Sequence, residues 1–154
     1  MLWFRIDNRL VHGQVIEAWM PYVGASILVV ANDDLAADPL RQEIMRLAIP
    51  DDVTFLCCRV TELASVLESL HTQAADPHIM VLFATCPDAQ LAYTSGCRIH
   101  SVNIGNLHDG PGKQQLCAHV CVSEEDRSCL IFFHDHGVEL DFRCVPGKSV
   151  TVHL

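Results

Sequence analysis

No apolar run in this sequence approaches the roughly 18 consecutive residues that a membrane-spanning helix needs; the strongest, Ile27–Ala31 and Ile79–Ala84, are strand-length. A targeting signal is equally absent, because Met1–Phe4 meets Arg5 and Asp7 before an apolar stretch can develop, so no secretory leader is expected. Positive charge is scarce: 10 Lys+Arg stand against 19 Asp+Glu, for a net charge of -9. That is the wrong sign for a protein whose affinity comes from neutralising phosphates, so no nucleic-acid partner is expected. The 8 cysteines among 154 residues fall short of the roughly 8–10% that marks a disulfide scaffold, and several sit in apolar runs as small hydrophobes do. Internal repeats and low-complexity linkers are also missing, and the length suits about one domain, so residues 1–154 read as a single cytoplasmic unit.

What the sequence does have is core material. Half the residues are apolar, only 19% are charged, and the mean hydropathy is +0.24, which excludes intrinsic disorder. Short apolar runs alternate with amphipathic segments. Leu2–Ile6, Ser26–Ala31, Val53–Cys58, Ile79–Ala84 and Arg98–Ile104 read as strands, and Val138–Val145 as a closing one. Between them, Gly13–Met20 reads as a helix stopped by Pro21. Asp38-Pro39 opens a second, and Thr61 caps a third whose Leu63, Val66, Leu67 and Leu70 share one face. Pro87–Thr94 is a fourth, and Ser123 with Asp126 forms a capping box for a fifth. Gln115–Val122 alternates like one half-exposed strand near an edge. The implied class is α/β, an open, mostly parallel sheet with helices on both faces and a ligand crevice at the carboxyl ends of its strands.

The chemistry concentrates in Arg5–Gln14, between the first strand and the first helix. His12 sits at a helix start, where backbone N–H groups and the dipole favour an anion, and Gly13 permits close backbone approach. Arg9 offers a planar fork to phosphate oxygens. Asp7 can accept a proton from one imidazole nitrogen, fixing the tautomer and leaving the other nucleophilic, an arrangement suited to phosphohistidine. The residue types alone also fit a His capping a surface helix, with Arg9 and Asp7 a solvated pair worth about 0–1 kcal/mol.

Arg5-Ile6-Asp7-Asn8-Arg9-Leu10-Val11-His12-Gly13-Gln14 resembles the R-I-D-x-R-L-[IV]-H-G-Q signature of the IIB subunits of mannose/fructose/sorbose-type sugar phosphotransferase systems. The resemblance extends to Ile27–Asp33 with Ala36–Asp38, to Ser101–Gly105 and to Gly137–Leu140, and so covers nearly the whole chain. It implies a phosphohistidine–sugar phosphotransferase component without cofactor or metal. His12 would take a phosphoryl group from a IIA phosphohistidine and pass it to a sugar held by membrane IIC/IID subunits. The protein would be cytoplasmic, peripherally associated with the permease, and the resemblance leaves a homodimer open. Arg9 would neutralise the transferring group, Asp7 would orient the imidazole, and Asn8, Gly13 and Gln14 would support the phosphate loop. Asn103, Gly105 and Lys113 would form a second wall. Such a carrier would present an exposed His12 on a shallow surface with no large substrate pocket. Two departures stand out: Asn8 replaces a common second Asp, and Asn106 follows Gly105 where another Gly is common.

Two alternatives compete. Cys117-x-His119-x-Cys121 and His134-Asp135-His136 invite a metal, but neither has zinc-site spacing, so none is expected. A regulatory or ligand-binding module on the same sheet, without sugar uptake, is the second function class.

Overall fold

The computed structural model describes residues 1–154. Six strands, β1 (Leu2–Asp7), β2 (Ile27–Ala31), β3 (Thr54–Cys58), β4 (Ile79–Phe83), β5 (Ser101–Asn106) and β8 (Glu139–Asp141), form one sheet in the order β3-β2-β4-β1-β5-β8. Every pairing within it is parallel. A separate antiparallel ribbon joins β6 (Gln114–Cys117) to β7 (Val120–Val122).

Alternation along the strands builds two cores. Phe4 and Ile6 of β1, Val29 and Ala31 of β2, and Ile79, Val81 and Phe83 of β4 face one side. They are covered by α4 (Leu63–Gln73), α5 (Cys86–Thr94) and α6 (Glu124–Asp135). Leu28, Val30, Met80 and Leu82 face the other, where Val15, Trp19, Met20 and Val23 pack on them. These last come from a π-helical segment, Gln14–Trp19, that runs into α1 (Met20–Val23). Strands buried on both faces explain the near-continuous apolar runs.

After β1 the chain crosses to β2 on one side, whereas after β5 it leaves through the ribbon and α6 to β8 on the other. The carboxyl ends of neighbouring β1 and β5 therefore mark a switch point, the place where such sheets hold ligands.

Several boundaries differ from the sequence reading. Pro21 does not stop the first helix, which continues to Gly24 in the left-handed conformation (φ 66°). The wider winding just before Pro21 puts the proline in the first turn of α1, where a missing N–H breaks no bond. Gln115–Val122 is a hairpin rather than one strand, turning at Ala118-His119 so that Cys117 faces Val120; the turn lacks the Asn-Gly, Asp-Gly or Gly pair that usually marks a two-residue hairpin, so the sequence carried no mark of the reversal. The fifth strand starts at Ser101 rather than Arg98, and the closing strand ends at Asp141 rather than Val145. A short helix unforeseen in the sequence, α2 (Asp33–Ala36), is capped by Asn32, whose side chain accepts from the Leu35 amide at 2.9 Å. The helix after it, α3 (Pro39–Arg46), is capped by Asp38, and the Ser123–Asp126 capping box forms as expected.

Candidate functional site

Because Phe4 and Ile6 take one face of β1, Arg5 and Asp7 take the other, on the side of Trp19, and both are fully buried. The Arg5 guanidinium lies 5.2 Å from the Trp19 ring centroid. Its Nε and Nη2 donate to Asp7 Oδ2 at 3.2 and 2.9 Å, and Nη1 donates to Asn103 Oδ1. Room for it comes from Gly105: a Cβ there would fall 2.1 Å from Arg5 Cζ. Asn103 in turn donates to the carbonyls of Asp141 and Arg143 at 3.2 and 3.0 Å, fastening the segment after β8 to the site.

Asp7 is the hub. Its Oδ2 also accepts from His12 Nε2 and from Asn106 Nδ2, each at 2.8 Å, and its Oδ1 accepts the Arg9 amide at 3.0 Å. Burial alone would raise the carboxyl's pKa. The hydrogen bonds from His12 and Asn106, the Arg5 charge and the Arg9 amide outweigh it and hold Asp7 down at about 2. The ionised carboxylate can only accept, so in the neutral imidazole Nε2 carries the proton and Nδ1 is the unprotonated, nucleophilic nitrogen. Asp7 is thus not half of a solvated pair with Arg9: Arg9 Nε stands 3.7 Å from Oδ1, while the close charge partner is Arg5.

The loop is held in shape at both ends. Asn8 donates to the Ala84 carbonyl at 2.7 Å and accepts the His108 amide at 2.7 Å, tying β4 to the β5–β6 connection. Leu10, buried among Val15 and Trp19, adopts φ 55°, a conformation that costs a bulky residue about 1–2 kcal/mol. That turn sends the chain back toward Asp7 and delivers His12. Gly13 has ordinary helical dihedrals, and a Cβ there would meet nothing of this chain. Gln14 Oε1 accepts from Arg9 Nη2 at 3.1 Å, keeping the guanidinium beside the helix start with 39% of its side chain exposed.

Other expectations need correction. His12 is not a fully exposed ring: 14% of its side chain reaches solvent, because the bond to Asp7 draws it inward. Asn103 and Gly105 are buried and cradle Arg5 instead of lining an outer wall. Lys113 is turned to the His108 carbonyl at 2.9 Å, within the β5–β6 connection. The surface is not uniformly shallow either. The ribbon stands over the end of β5 and leaves a cleft of about 600 Å³ lined by Asn106, His108, Lys113, Gln115 and His119.

Some residues join the site unannounced. Asn106 stood out in the sequence only as a departure from a glycine. Arg143, whose guanidinium is paired with Asp141 at 2.7 Å, lies 5.5 Å from the Trp19 ring. Trp19 Nε1 donates to the Cys144 carbonyl at 2.9 Å, and His119 Nε2 lies 3.0 Å from the Phe142 carbonyl. Cys117 sits 3.9 Å from His119, and Cys121 is buried.

Known proteins resemble this chain over nearly its whole length. The family described as PTS system sorbose subfamily IIB component matches residues 1–152. The N-acetylgalactosamine-specific phosphotransferase enzyme IIB component 2 of Escherichia coli K12 is 32% identical over 147 residues, covering 96% of this chain and 92% of that one. The mannose-specific EIIAB component of the same strain is 32% identical over 142 residues, 92% of this chain and 43% of the longer relative. The crystal structure of the IIBSor domain of the sorbose permease from Klebsiella pneumoniae superposes with a TM-score of 0.88 at 28% identity, covering 99% of this chain and 93% of that one.

Proposed function

The chain belongs to the sorbose-subfamily IIB components of the sugar phosphotransferase system, and on that basis we propose that it is a phosphocarrier in which His12 Nδ1 is the acceptor. The observation that carries this reading is the 2.8 Å bond from His12 Nε2 to the buried, ionised Asp7. A proton fixed on one nitrogen makes the other a nucleophile without a separate base.

In the proposed step, Nδ1 attacks the phosphorus of a phosphohistidine on a IIA partner. The N–P bond to the donor breaks with its electron pair returning to the donor ring, and a new N–P bond forms on His12. The His12 ring gains positive charge, which Asp7 balances while keeping its proton on Nε2. Arg9, partly exposed and held by Gln14, offers its remaining N–H groups to the phosphoryl oxygens. Gly13 leaves the helix start clear for the incoming group. In a second displacement the hydroxyl oxygen of a sugar held by membrane IIC/IID subunits attacks the phosphorus, the N–P bond breaks with its electron pair returning to His12 Nδ1, and the hydroxyl proton passes to a general base of the sugar-binding partner. No helix of this chain is long and apolar enough to cross a membrane. The IIA partner is supported by the EIIAB relative, whose name joins the two functions.

The test is incubation with phosphoenolpyruvate and the general phosphotransferase proteins together with a IIA donor. The chain should acquire one acid-labile phosphoryl group, assigned to His12 Nδ1 by ³¹P and ¹⁵N spectra. His12→Ala should take none while keeping its circular dichroism. Labelling of that variant would place the acceptor elsewhere.

A further inference from the structure

We propose that Asn106 is a positioning residue for the His12 imidazole: its amide occupies one side of Asp7 Oδ2 and thereby sets how much of that carboxylate is left to His12. The inference rests on the phosphocarrier reading above and deepens it.

The placement of Asn106 is a local feature of β5. Val102 and Ile104 face the core shared with Phe4 and Ile6, so simple alternation would send Asn106 to that same side. Instead the register between β1 and β5 slips: Ile6 pairs with Ile104, but Asp7 pairs with Asn106. Gly105 is the extra residue, and the bulge turns the Asn106 side chain to the face of Asp7, a re-aiming that bulges beside functional sites commonly achieve.

The orientation of the Asn106 amide follows from its neighbours. Arg9 can only donate, so the end of Gln14 it meets at 3.1 Å is the oxygen. Asn106 Nδ2 lies 3.4 Å from that same oxygen and 2.8 Å from Asp7 Oδ2. Both neighbours accept, so the NH₂ must point at them. A polar run therefore links the two groups that meet the phosphoryl: Arg9 to Gln14, Gln14 to Asn106, Asn106 to Asp7, and Asp7 to His12.

Asp7 Oδ2 receives Arg5 Nε, Arg5 Nη2, Asn106 Nδ2 and His12 Nε2. The charged and titratable groups around it are Arg5 on its own strand, Arg9 and His12 from the loop, and His119 from the ribbon, with Cys144 beside Arg5. Arg5 is locked by Trp19 and Asn103. Asn106 is the one neutral donor in direct competition with His12 for this oxygen. Its removal concentrates the carboxylate's charge on the Nε2 proton, which favours the ring when it carries the phosphoryl group and is cationic. Asn106 thus keeps the phosphohistidine ready to give its group up.

The test uses the full chain with Asn106→Ala and Asn106→Leu, the first removing donor and bulk, the second the donor alone. The phosphorylated fraction is measured at a fixed ratio of phosphoenolpyruvate to pyruvate in the presence of the general phosphotransferase proteins and the Escherichia coli mannose EIIAB component, with this chain separated by size. Both variants should shift the equilibrium toward phosphorylated His12 by about threefold to tenfold, the net effect of one ordinary hydrogen bond, because only the difference between the neutral and the phosphorylated ring is read. The Asp7 carboxyl, followed by its ¹³C resonance in the unphosphorylated protein, should titrate higher than in the parent. An equilibrium within twofold of the parent's in either variant overturns the assignment. If the parent takes no phosphoryl group, the phosphocarrier reading falls instead, and the Asp7 titration decides by itself whether Asn106 governs that carboxylate.

Discussion

Gly105→Ala should be among the most damaging single-methyl changes available to this protein. The added Cβ would lie 2.1, 2.2 and 2.5 Å from Arg5 Cζ, Nη2 and Nε. Reaching an ordinary contact near 3.4 Å requires a shift of about 1.3 Å, the difference between 3.4 and 2.1. Arg5 cannot supply it in place. Its plane is held over Trp19 at 5.2 Å and its edge by Asp7 and Asn103. Either β5 moves away from β1, losing its ladder, or the guanidinium leaves and Asp7 remains buried without its charge partner. Breaking a buried pair in this way costs about 3–5 kcal/mol. In a chain of this size each kcal/mol moves the melting temperature by about 2–4 °C, so the variant should melt about 6–20 °C lower. Calorimetry at pH 7 measures the loss. Phosphorylation should fall with it even well below the melting point, because Asp7 would no longer be held for His12. A variant melting within 2 °C of the parent and labelled at the parental rate would refute the claim that Gly105 exists to admit Arg5.

Two further outcomes follow from the same geometry. Arg9→Lys keeps a charge but loses the planar fork and its hold on Gln14, so the transfer rate should fall about tenfold, and about a hundredfold for Arg9→Ala, less than for a fully enclosed site because Arg9 is partly exposed; parental rates in both would remove Arg9 from the chemistry. The Asp7 carboxyl titrates at about 2 in the fold against 3.8 normally, so the unfolded chain takes up the proton first as pH falls. The stabilisation, about 2 kcal/mol, is complete above roughly pH 5 and is lost as pH drops through 2; urea unfolding of the parent and Asp7→Asn should show stabilities that converge toward pH 2, and parallel pH profiles would contradict it.

How much of this was legible in the sequence depended on how local the cause was. Strand runs such as Ile27–Ala31 and caps such as Asp38 and Ser123 are decided within a few residues, and they appear where the pattern puts them. The same holds for the pairing of Asp7 with His12, five positions apart in one loop. What stayed hidden was set across the sheet. The space that Gly105 leaves for Arg5, and the bulge that turns Asn106 toward Asp7, depend on the register between two strands about 100 positions apart. No periodicity within either strand reports that register. Pro21 misled for a related reason: its tolerance depends on the π-helical winding that precedes it, whereas the general rule assumes an α-helical approach.

The buried Arg5–Asp7 pair is a poor device for stability alone. Taking both charges out of water costs several kcal/mol per ion, and apolar residues of similar size in such places are often as stable or more so. Burial presses on both groups, lowering the Arg5 pKa even as Asp7 pulls it back. What an apolar pair could not do is hold the proton on His12 Nε2. A carboxylate at the surface would share itself with water and cations and would turn with its side chain. This one is fixed by Arg5 from beneath, by the Arg9 amide on its other oxygen and by Asn106 at its side. Its remaining direction faces His12. The buried charge keeps the same nitrogen of one imidazole available while the ring stays partly open to solvent, as the proposed cycle of gaining and losing a phosphoryl group requires.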